Sequence, residues 1–451
     1  MKIKMKKLAY IFMMLFVISC DKELDIKPTQ SIDQESALAT AQDVKVTLIG
    51  SYDGMGDGDV YGGGFAFTSE LLADEREVLF GGTFSAMDEI WNKALTAGNA
   101  QILSTWRDAY IAINRANNVL SALSKLTGDD VKKVEGEARF IRGSVYFGLV
   151  GLFGKAWGDG DNNANLAVPL VTAPTRSVTD QDNKPRASVA AIYAQVIEDI
   201  SKAAELLPAD PGENRAFASK DAATALLARI YLIQGNFAAA RDAANKVITG
   251  GKFELASSFA EVFDDQSGGY GSEVLFGTFV NEQDGVNSMN TYYAPAAFGG
   301  RGDVRVQNKH IALYDAADPR GKFFNTASNR LFTNKHADQF GDVPLIRLAE
   351  MYLIRAETNF RLNTKIGAQP SEDIAAIRTR AGAPQLSAAI TLERILAERR
   401  LELAFEGLLL SDVKRLKRNV GTLPFSDPKL VCPIPQREID TNKSLTQNPG
   451  Y

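Results

Sequence analysis

Cysteine and histidine, the residues that most often carry covalent or metal chemistry, are scarce in this chain of 451 residues. The cysteines are Cys20 and Cys432, and the histidines are His310 and His336. One disulfide would use both cysteines, a zinc cluster would need more ligands than two cysteines supply, and two histidines nearly exclude histidine-rich metal chemistry. No G-x-S-x-G turn is present to form a nucleophilic triad with a histidine. The sequence therefore predicts no catalytic residues and no cofactor, and these four residues give no metal site.

Cys20 ends an apolar run and has no second cysteine near it. Residues 1–7, MKIKMKK, carry four lysines, and the apolar run LAYIFMMLFVI follows before Ser19. A membrane-spanning helix needs about 20 apolar residues, so the pattern predicts a signal peptide over residues 1–19 instead. VISC resembles the lipobox of bacterial lipoproteins, which implies lipid attachment at Cys20 and anchoring to a membrane. The alternative is an ordinary signal peptide followed by an incidental cysteine.

The charges that follow Cys20 bear on location and on partners. DKELD resembles the surface-export tag of lipoproteins from glycan-degrading bacteria, which implies the outer face of the outer membrane. Without residues 1–19 the chain has 46 basic and 55 acidic residues, a net charge of −9. It also has no run of Lys or Arg, so the electrostatic pattern of a nucleic-acid-binding protein is missing.

Two charged stretches look like catalytic clusters but have a structural interpretation. Their charged residues are Arg347, Glu350, Arg355 and Glu357 in VPLIRLAEMYLIRAE, and Glu398, Arg399, Arg400, Glu402 and Glu406 in ERRLELAFEG. At three- and four-residue spacing, opposite charges pair along a helix. We therefore predict a structural network of ion pairs. Nothing in the sequence singles out two carboxylates placed for glycoside cleavage.

Helical periodicity dominates the elements that must position these residues. Apolar residues of the segment 99–126 form one stripe from Ile102 through Trp106 to Leu120. Three helices also share a small residue three positions before a tyrosine: Gly143/Tyr146, Ala228/Tyr231 and Ala349/Tyr352. The second copy continues in tetratricopeptide register with Ala240 and Ala244. The small residue lets a partner helix approach, so the pattern predicts a mostly α fold of stacked helix pairs.

Long irregular stretches are predicted between the helices, at 51–90, 155–187, 252–345 and 421–451. Loops of this length within a compact domain are usually functional or disordered. Aromatic and apolar residues within them, as in SYDGMGDGDVYGGGFAF, favour order.

Four motifs in order resemble the SusD/RagB family of surface nutrient-binding lipoproteins. They are ARFIRGSVYFGLVGLFGKAWG, VPLIRLAEMYLIRAE, ERILAERRLELAFEGLLLSDVKRL and PIPQREIDTNKSLTQNPGY. The resemblance runs from Cys20 to Tyr451 and implies tetratricopeptide-like helix pairs that support a loop-rich lobe. We expect an N-terminal part over 20–250, and a C-terminal part over 251–451 that completes the same compact unit.

The resemblance also implies a glycan site formed by loops of the N-terminal part and of the middle lobe. Sugars present flat apolar faces and hydroxyl groups, so their binders expose aromatic rings beside polar side chains. Two stretches fit, 52–92 and 281–305. The candidate ligand-binding residues are Tyr61, Phe65, Asp74, Phe80, Trp91, Asn92, Asn290, Tyr292, Tyr293 and Arg301. Asp57 and Asp59 begin a stretch like a calcium loop, but Tyr61 and Thr68 break its pattern, so calcium is left open.

The predicted function is non-catalytic capture of glycans at the cell surface. The family resemblance implies delivery to a SusC-like TonB-dependent transporter in the outer membrane. Three alternatives stay open at this point: a peptide-binding member of the same family, a surface glycoside hydrolase, and a tetratricopeptide scaffold that binds proteins alone.

Overall fold

Helices form most of the structure, as the periodicity predicts. The computed structural model describes residues 38–176, 179, 182–208, 214–264, 270–280, 282–283 and 285–451. The predicted signal peptide and Cys20 lie outside these residues. In chain order the described helices are α1 (Ala41–Gly56), α2 (Gly64–Ala73), α3 (Ser85–Asn92), α4 (Ala100–Ser121), α5 (Asp129–Phe153), α6 (Val189–Leu206), α7 (Lys220–Ile233), α8 (Phe237–Thr249), α9 (Ser288–Tyr293), α10 (Asn308–Ile311), α11 (Leu348–Leu362), α12 (Pro370–Arg380), α13 (Leu392–Leu403), α14 (Leu409–Leu416) and α15 (Gln436–Thr441).

The strands are short and lie mainly in the middle of the chain. They are β1 (Val78–Phe80), β2 (Leu166–Pro169), β3 (Arg186–Ser188), β4 (Val274–Thr278), β5 (Val304–Val306), β6 (Phe324–Ala327), β7 (Arg330–Thr333) and β8 (Val343–Arg347). Within the described residues they form a four-stranded sheet in the order β1-β5-β7-β6 and two separate antiparallel pairs, β2–β3 and β4–β8.

Polar side chains fix where several long helices begin. Thr40 and Asp43 form a capping box, in which each side chain accepts a hydrogen bond from the backbone N–H of the other. The side chain of Asn99 accepts a hydrogen bond from the N–H of Ile102 at the start of α4. Such caps satisfy N–H groups that have no partner inside the helix.

Successive helices pack as neighbours and form the scaffold. Helix α5 packs on α4 and α6, α7 on α6 and α8, and α11 on α8, α12 and α13. The repeated small residues permit this close packing, because a Cβ atom at Gly143 would lie only 2.8 Å from Cδ1 of Ile200 in α6. Ala228 and Ala349 are fully buried. The predicted helix-pair scaffold is confirmed.

The prediction that 51–90 is irregular is wrong, because α2, β1 and α3 occupy much of it. Its glycines permit close backbone contacts instead of marking flexibility. A Cβ at Gly62 would lie 2.3 Å from the carbonyl oxygen of Gly56, and one at Gly64 would lie 1.9 Å from that of Asp59. The stretch 252–345 is also less irregular than predicted, since it contains most of the strands.

The charged motifs form a buried structural network, as predicted, but most of their pairs join different elements. Arg347 at the start of α11 contacts Glu273 at 2.6 Å, Glu402 at 2.9 Å and Glu406 at 2.7 Å. Glu350 pairs with Arg229 of α7 at 2.6 Å. The expectation of pairing along one helix is therefore wrong for these residues, because burial requires each charge to find partners across the packed interface.

Among the described helices, none combines the length and the apolar character needed to cross a membrane.

Candidate functional site

The two stretches predicted to bind a ligand meet in the structure. Strand β1 pairs antiparallel with β5, so that Val78 lies opposite Val306 and Phe80 lies opposite Val304. Beyond the strand, the N–H of Gly81 donates to the carbonyl oxygen of Asp303 at 2.7 Å. The sheet therefore joins residues about 225 positions apart in the chain, and the loops that flank β1 and β5 form one surface.

The exposed part of this surface is an aromatic and cationic group, which we call the Phe84 platform: Thr83, Phe84, Tyr292 and Arg301. Phe84 precedes α3 and is 46% exposed. The guanidinium carbon of Arg301 lies 4.3 Å from the centre of the Phe84 ring. Nη2 of Arg301 also donates to Oγ1 of Thr83 at 3.1 Å, which fixes the guanidinium against the loop. An exposed ring beside polar groups can stack on an apolar face while the neighbours bind hydroxyl groups.

Tyr292 connects the platform to the core below it. Its half-buried ring contacts Phe67 edge-on, with centroids 5.0 Å apart, and reaches Phe84 at 6.2 Å. Burial, together with the carboxylates of Asp59 and Asp303, raises the pKa of Tyr292 above its ordinary value. The phenol is therefore neutral at physiological pH and can both donate and accept a hydrogen bond.

Arg301 is held in place by a second contact, with Asp303. Its Nε donates to Oδ2 of Asp303 at 2.9 Å, and the Asp303 carboxylate is buried. The pairing offsets the positive charge of the platform. The platform is therefore better suited to uncharged polar groups than to anions.

Four of the predicted residues are buried and support the surface from below. The Asp74 carboxylate accepts hydrogen bonds from the backbone N–H groups of Arg76, Glu77 and Val78. Phe80 lies in the core beneath β1, and Tyr293 is fully buried. The Asn290 amide donates to the carbonyl oxygens of Phe298 and His336. Because these side chains have little contact with solvent, the expectation that they touch a ligand is not met by the structure.

Trp91 and Asn92 lie at the edge of the same lobe. The indole Nε1 of Trp91 donates to Asp74 and to the carbonyl oxygen of Val78, both at 3.1 Å. The Arg76 guanidinium covers its ring at 3.9 Å from the centroid and also reaches the exposed Asn92 side chain at 3.4 Å. One face of the Trp91 ring is therefore covered by a guanidinium, as one face of the Phe84 ring is by Arg301, and Trp91 is the less exposed of the two rings.

Tyr61 and Phe65 lie away from the platform and line a separate cavity of about 120 Å³ in the scaffold. The Tyr61 hydroxyl donates to the carbonyl oxygen of Ser144 at 2.6 Å. Charged residues of this cavity already have partners, for instance Arg229 with Glu350 and Arg415 with Glu357 at 2.7 Å. The structure thus does not bring these two aromatic residues together with the other candidates.

The Asp57 and Asp59 carboxylates lie close to that of Asp108, with ligand atoms within 4.8 Å of one another. Burial raises the pKa of Asp57 and of Asp59, and the nearby Asp108 carboxylate adds to both shifts. Asp59 also accepts a hydrogen bond from the Gln101 amide at 2.7 Å. Oxygen donors of this kind suit calcium, but they number too few for its usual six to eight ligands.

Sequence reasoning missed Phe84 and Thr83. The available signal was an aromatic residue in the short polar segment GGTFS, directly before a helix and outside any apolar stripe. An aromatic residue in that position has no core to enter locally, which indicates exposure.

Comparison with known proteins places the chain among SusD-like proteins. Residues 21–232 match the SusD-like family described as "Starch-binding associating with outer membrane", and residues 319–424 match the SusD family. The chain is 26% identical to SusD-like protein P2 of Formosa agariphila, over 99% of this chain and 100% of that protein.

Two further similarities concern Bacteroides thetaiotaomicron. The chain is 32% identical to its starch-binding protein SusD over 123 residues, which is 24% of this chain and 22% of that protein. The crystal structure of a SusD superfamily protein from the same species superposes with a TM-score of 0.79 and 25% sequence identity. That match covers 91% of this chain and 100% of that one.

Proposed function

Since the chain belongs to the SusD family, we propose that it binds glycans at the cell surface and passes them to a SusC-like TonB-dependent transporter in the outer membrane. It does so without breaking a bond. The observation that carries the proposal is the Phe84 platform, an exposed ring with a fixed guanidinium and a neutral phenol beside it. The descriptions of the matched family and of the starch-binding relative support glycans as the ligand class.

The geometry of the platform suits a sugar ring. The C–H face of a pyranose is apolar and stacks on an aromatic face, while its hydroxyl groups need donors and acceptors at the rim. Phe84 offers the aromatic surface, and Thr83 and Tyr292 offer hydroxyl groups next to it. Stacking and a few hydrogen bonds give moderate affinity, which suits a protein that must release its ligand to a transporter.

We propose that the mature chain begins at Cys20 and carries lipid there, after removal of residues 1–19. Replacement of Cys20 by alanine should abolish labelling by a fatty-acid probe and move the protein from the membrane fraction to the soluble fraction. Cys432→Ala is the matched control, because Cys432 is buried and burial raises the pKa of its thiol to about 12. Equal labelling of the wild type and of Cys20→Ala would contradict the anchor.

Isothermal titration against neutral polysaccharides, acidic polysaccharides and peptides tests the ligand class. The best-bound polysaccharide should bind Phe84→Ala about tenfold more weakly than the wild type, the loss expected when one stacking ring is removed. Phe360→Ala is the matched control, since Phe360 is 36% exposed on α11 of the scaffold. Binding of peptides alone, or equal affinity of Phe84→Ala and wild type, would overturn glycan capture at the platform.

Two assays separate capture from the remaining alternatives. Incubation with the bound polysaccharide should release no reducing sugar, and release would indicate a hydrolase. Purification of the tagged protein from solubilised outer membranes should recover a large barrel transporter with it. Recovery of other proteins in its place would contradict the proposed delivery.

A further inference from the structure

A second depression, the α1 cleft, opens beside the platform at the C-terminal end of α1. Its volume is about 430 Å³, within the size range of small-molecule binding pockets. Its walls are the end of α1, the residue Asn214, and the segments 216–217, 276–280 and 285–288. The cleft is thus formed by the N-terminal part and the middle lobe together, as the platform is.

The α1 cleft has unusually exposed apolar side chains at its rim. Phe279 is 52% exposed and Val286 is 43% exposed, and both line the cleft. Deeper in, the rings of Tyr52 and Phe217 meet edge-to-face with centroids 5.1 Å apart. Exposed apolar side chains gathered around one concavity indicate a binding surface more strongly than the same residues scattered singly.

The polar groups of the cleft select against anions. Asn214 and Ser288 supply an amide and a hydroxyl group, and the acidic residues are Asp53 and Asp57. Asp53 is paired with Arg115 at 2.9 Å. Neither Lys nor Arg occurs among the described residues that line the cleft. A uronate or sulfate group would therefore meet carboxylates, and the neighbouring guanidinium of Arg115 is already paired with Asp53.

The cleft and the platform lie along the same short helix. Ser288 lines the cleft at the start of α9, and Tyr292 reaches the platform four residues later. Residues four apart lie on one face of a helix, separated by one turn or roughly 6 Å along its axis. Asp57 at the edge of the cleft and Asp59 near Tyr292 belong to the loop between the two sites. A single linear molecule can therefore touch both.

We infer that the α1 cleft is a second subsite for the captured glycan, so that the protein binds a neutral oligosaccharide long enough to cross from Phe84 to Phe279. This inference rests on the proposed function and specifies its ligand: uncharged sugars in a chain that extends beyond the platform. Phe279 supplies the stacking surface of the second subsite, and Asn214 and Ser288 supply its hydrogen bonds.

The test measures affinity against chain length. The probes are size-fractionated oligosaccharides, from two to eight units, of the neutral polysaccharide that the wild type binds best. The wild-type affinity should rise with length beyond the units that the platform holds. Phe279→Ala should bind the longest probes about five- to tenfold more weakly and the shortest ones unchanged. Phe84→Ala should weaken binding at every length, and Phe360→Ala at none.

The outcomes distinguish the second subsite from the function it rests on. If no neutral or acidic oligosaccharide binds the wild type, glycan capture fails and the second subsite fails with it. If short probes bind, but affinity does not rise with length or Phe279→Ala matches the wild type throughout, the cleft is not a subsite while capture stands. Oligogalacturonides should bind at least about tenfold more weakly than neutral probes of equal length, and equal or tighter binding would overturn the inferred ligand class.

Discussion

Replacement of Arg347 by methionine tests how far the buried ion pairs hold the fold together. The guanidinium of Arg347 contacts Glu273, Glu402 and Glu406 at 2.6 to 2.9 Å, and all four side chains are nearly inaccessible to solvent. Methionine keeps much of the apolar volume and removes the charge. Removal of one partner from a buried ion pair costs about 3–5 kcal/mol, because it leaves an uncompensated charge in the interior.

The remaining contacts indicate the lower half of that range. Glu402 keeps Arg320 at 3.1 Å, and Glu406 keeps Lys335. Glu273 is left with Arg380 at 3.5 Å. We therefore expect Arg347→Met to lower the free energy of unfolding by about 3 kcal/mol at pH 7, measured by urea denaturation followed by tryptophan fluorescence. The matched control is Lys45→Met, which removes an exposed pair with Asp130 and should cost less than about 1 kcal/mol.

The pH dependence of the stability difference between wild type and Arg347→Met tests the ionic explanation more sharply. Burial alone would raise the pKa of Glu402 and Glu406, but the surrounding Arg and Lys side chains overcome it and lower both pKa values. A carboxylate with a lowered folded-state pKa stabilises the fold above its unfolded pKa of about 4.3, and that contribution is lost as pH falls. The difference between wild type and Arg347→Met should therefore be largest at pH 7 and shrink below pH 4. A difference below 1 kcal/mol, or one independent of pH, would refute the ionic explanation.

Two further predictions concern helix α5. Gly143→Ala should destabilise the protein by about 1–3 kcal/mol, because the added Cβ overpacks on Ile200. Gly151→Ala is the control: its Cβ would meet nothing within 4 Å, so it should stabilise the protein by up to about 1 kcal/mol. Equal shifts of the melting temperature in the two variants would contradict close helix approach at Gly143. Burial raises the pKa of Glu137 to about 7 against a weaker opposing effect of Lys133, so ionisation of Glu137 costs stability as pH rises from about 4.3 to 7. In urea denaturation, Glu137→Gln should therefore raise the free energy of unfolding by about 1–3 kcal/mol at pH 8 and leave it unchanged at pH 4. A larger stabilisation at pH 4 than at pH 8 would contradict the raised pKa of Glu137.

The scaffold was predictable from sequence because its signals are local. A small residue followed three positions later by tyrosine lies within one helical turn, so the pattern at Gly143 and at Ala228 could be seen without knowing the partner helix. The partners of the charges were not predictable in this way. Arg347 and Glu402 are 55 residues apart, and only the packing of α11 against α13 shows that they meet.

The platform was predictable only in part, because exposure there depends on a distant pairing. Tyr292 and Tyr293 are adjacent on one short helix, yet Tyr292 is half-buried at the surface and Tyr293 is fully buried. Phe80 enters the core because β1 pairs with β5, a contact between segments far apart in sequence. Aromatic content could identify both stretches, but it could not decide which rings face solvent.

The scaffold also determines how rigidly the platform is held. Arg400 of α13 donates to Glu77 at 2.7 Å, and Glu77 directly precedes β1, the strand that leads to the platform loop. Nδ1 of His310 contacts the same carboxylate oxygen at 2.7 Å. The Glu70 carboxylate accepts a hydrogen bond from the N–H of Gly407, which ties α2 to the connection between α13 and α14.

These contacts link the stacked helices to the one strand on which the platform depends. A loop fixed before the ligand arrives loses less conformational entropy on binding, so more of the modest energy of stacking and hydrogen bonding appears as affinity. If the platform binds a sugar as proposed, the charged motif that resembles a catalytic cluster in the sequence contributes to binding without touching the ligand, because it holds β1, the strand that leads to Phe84.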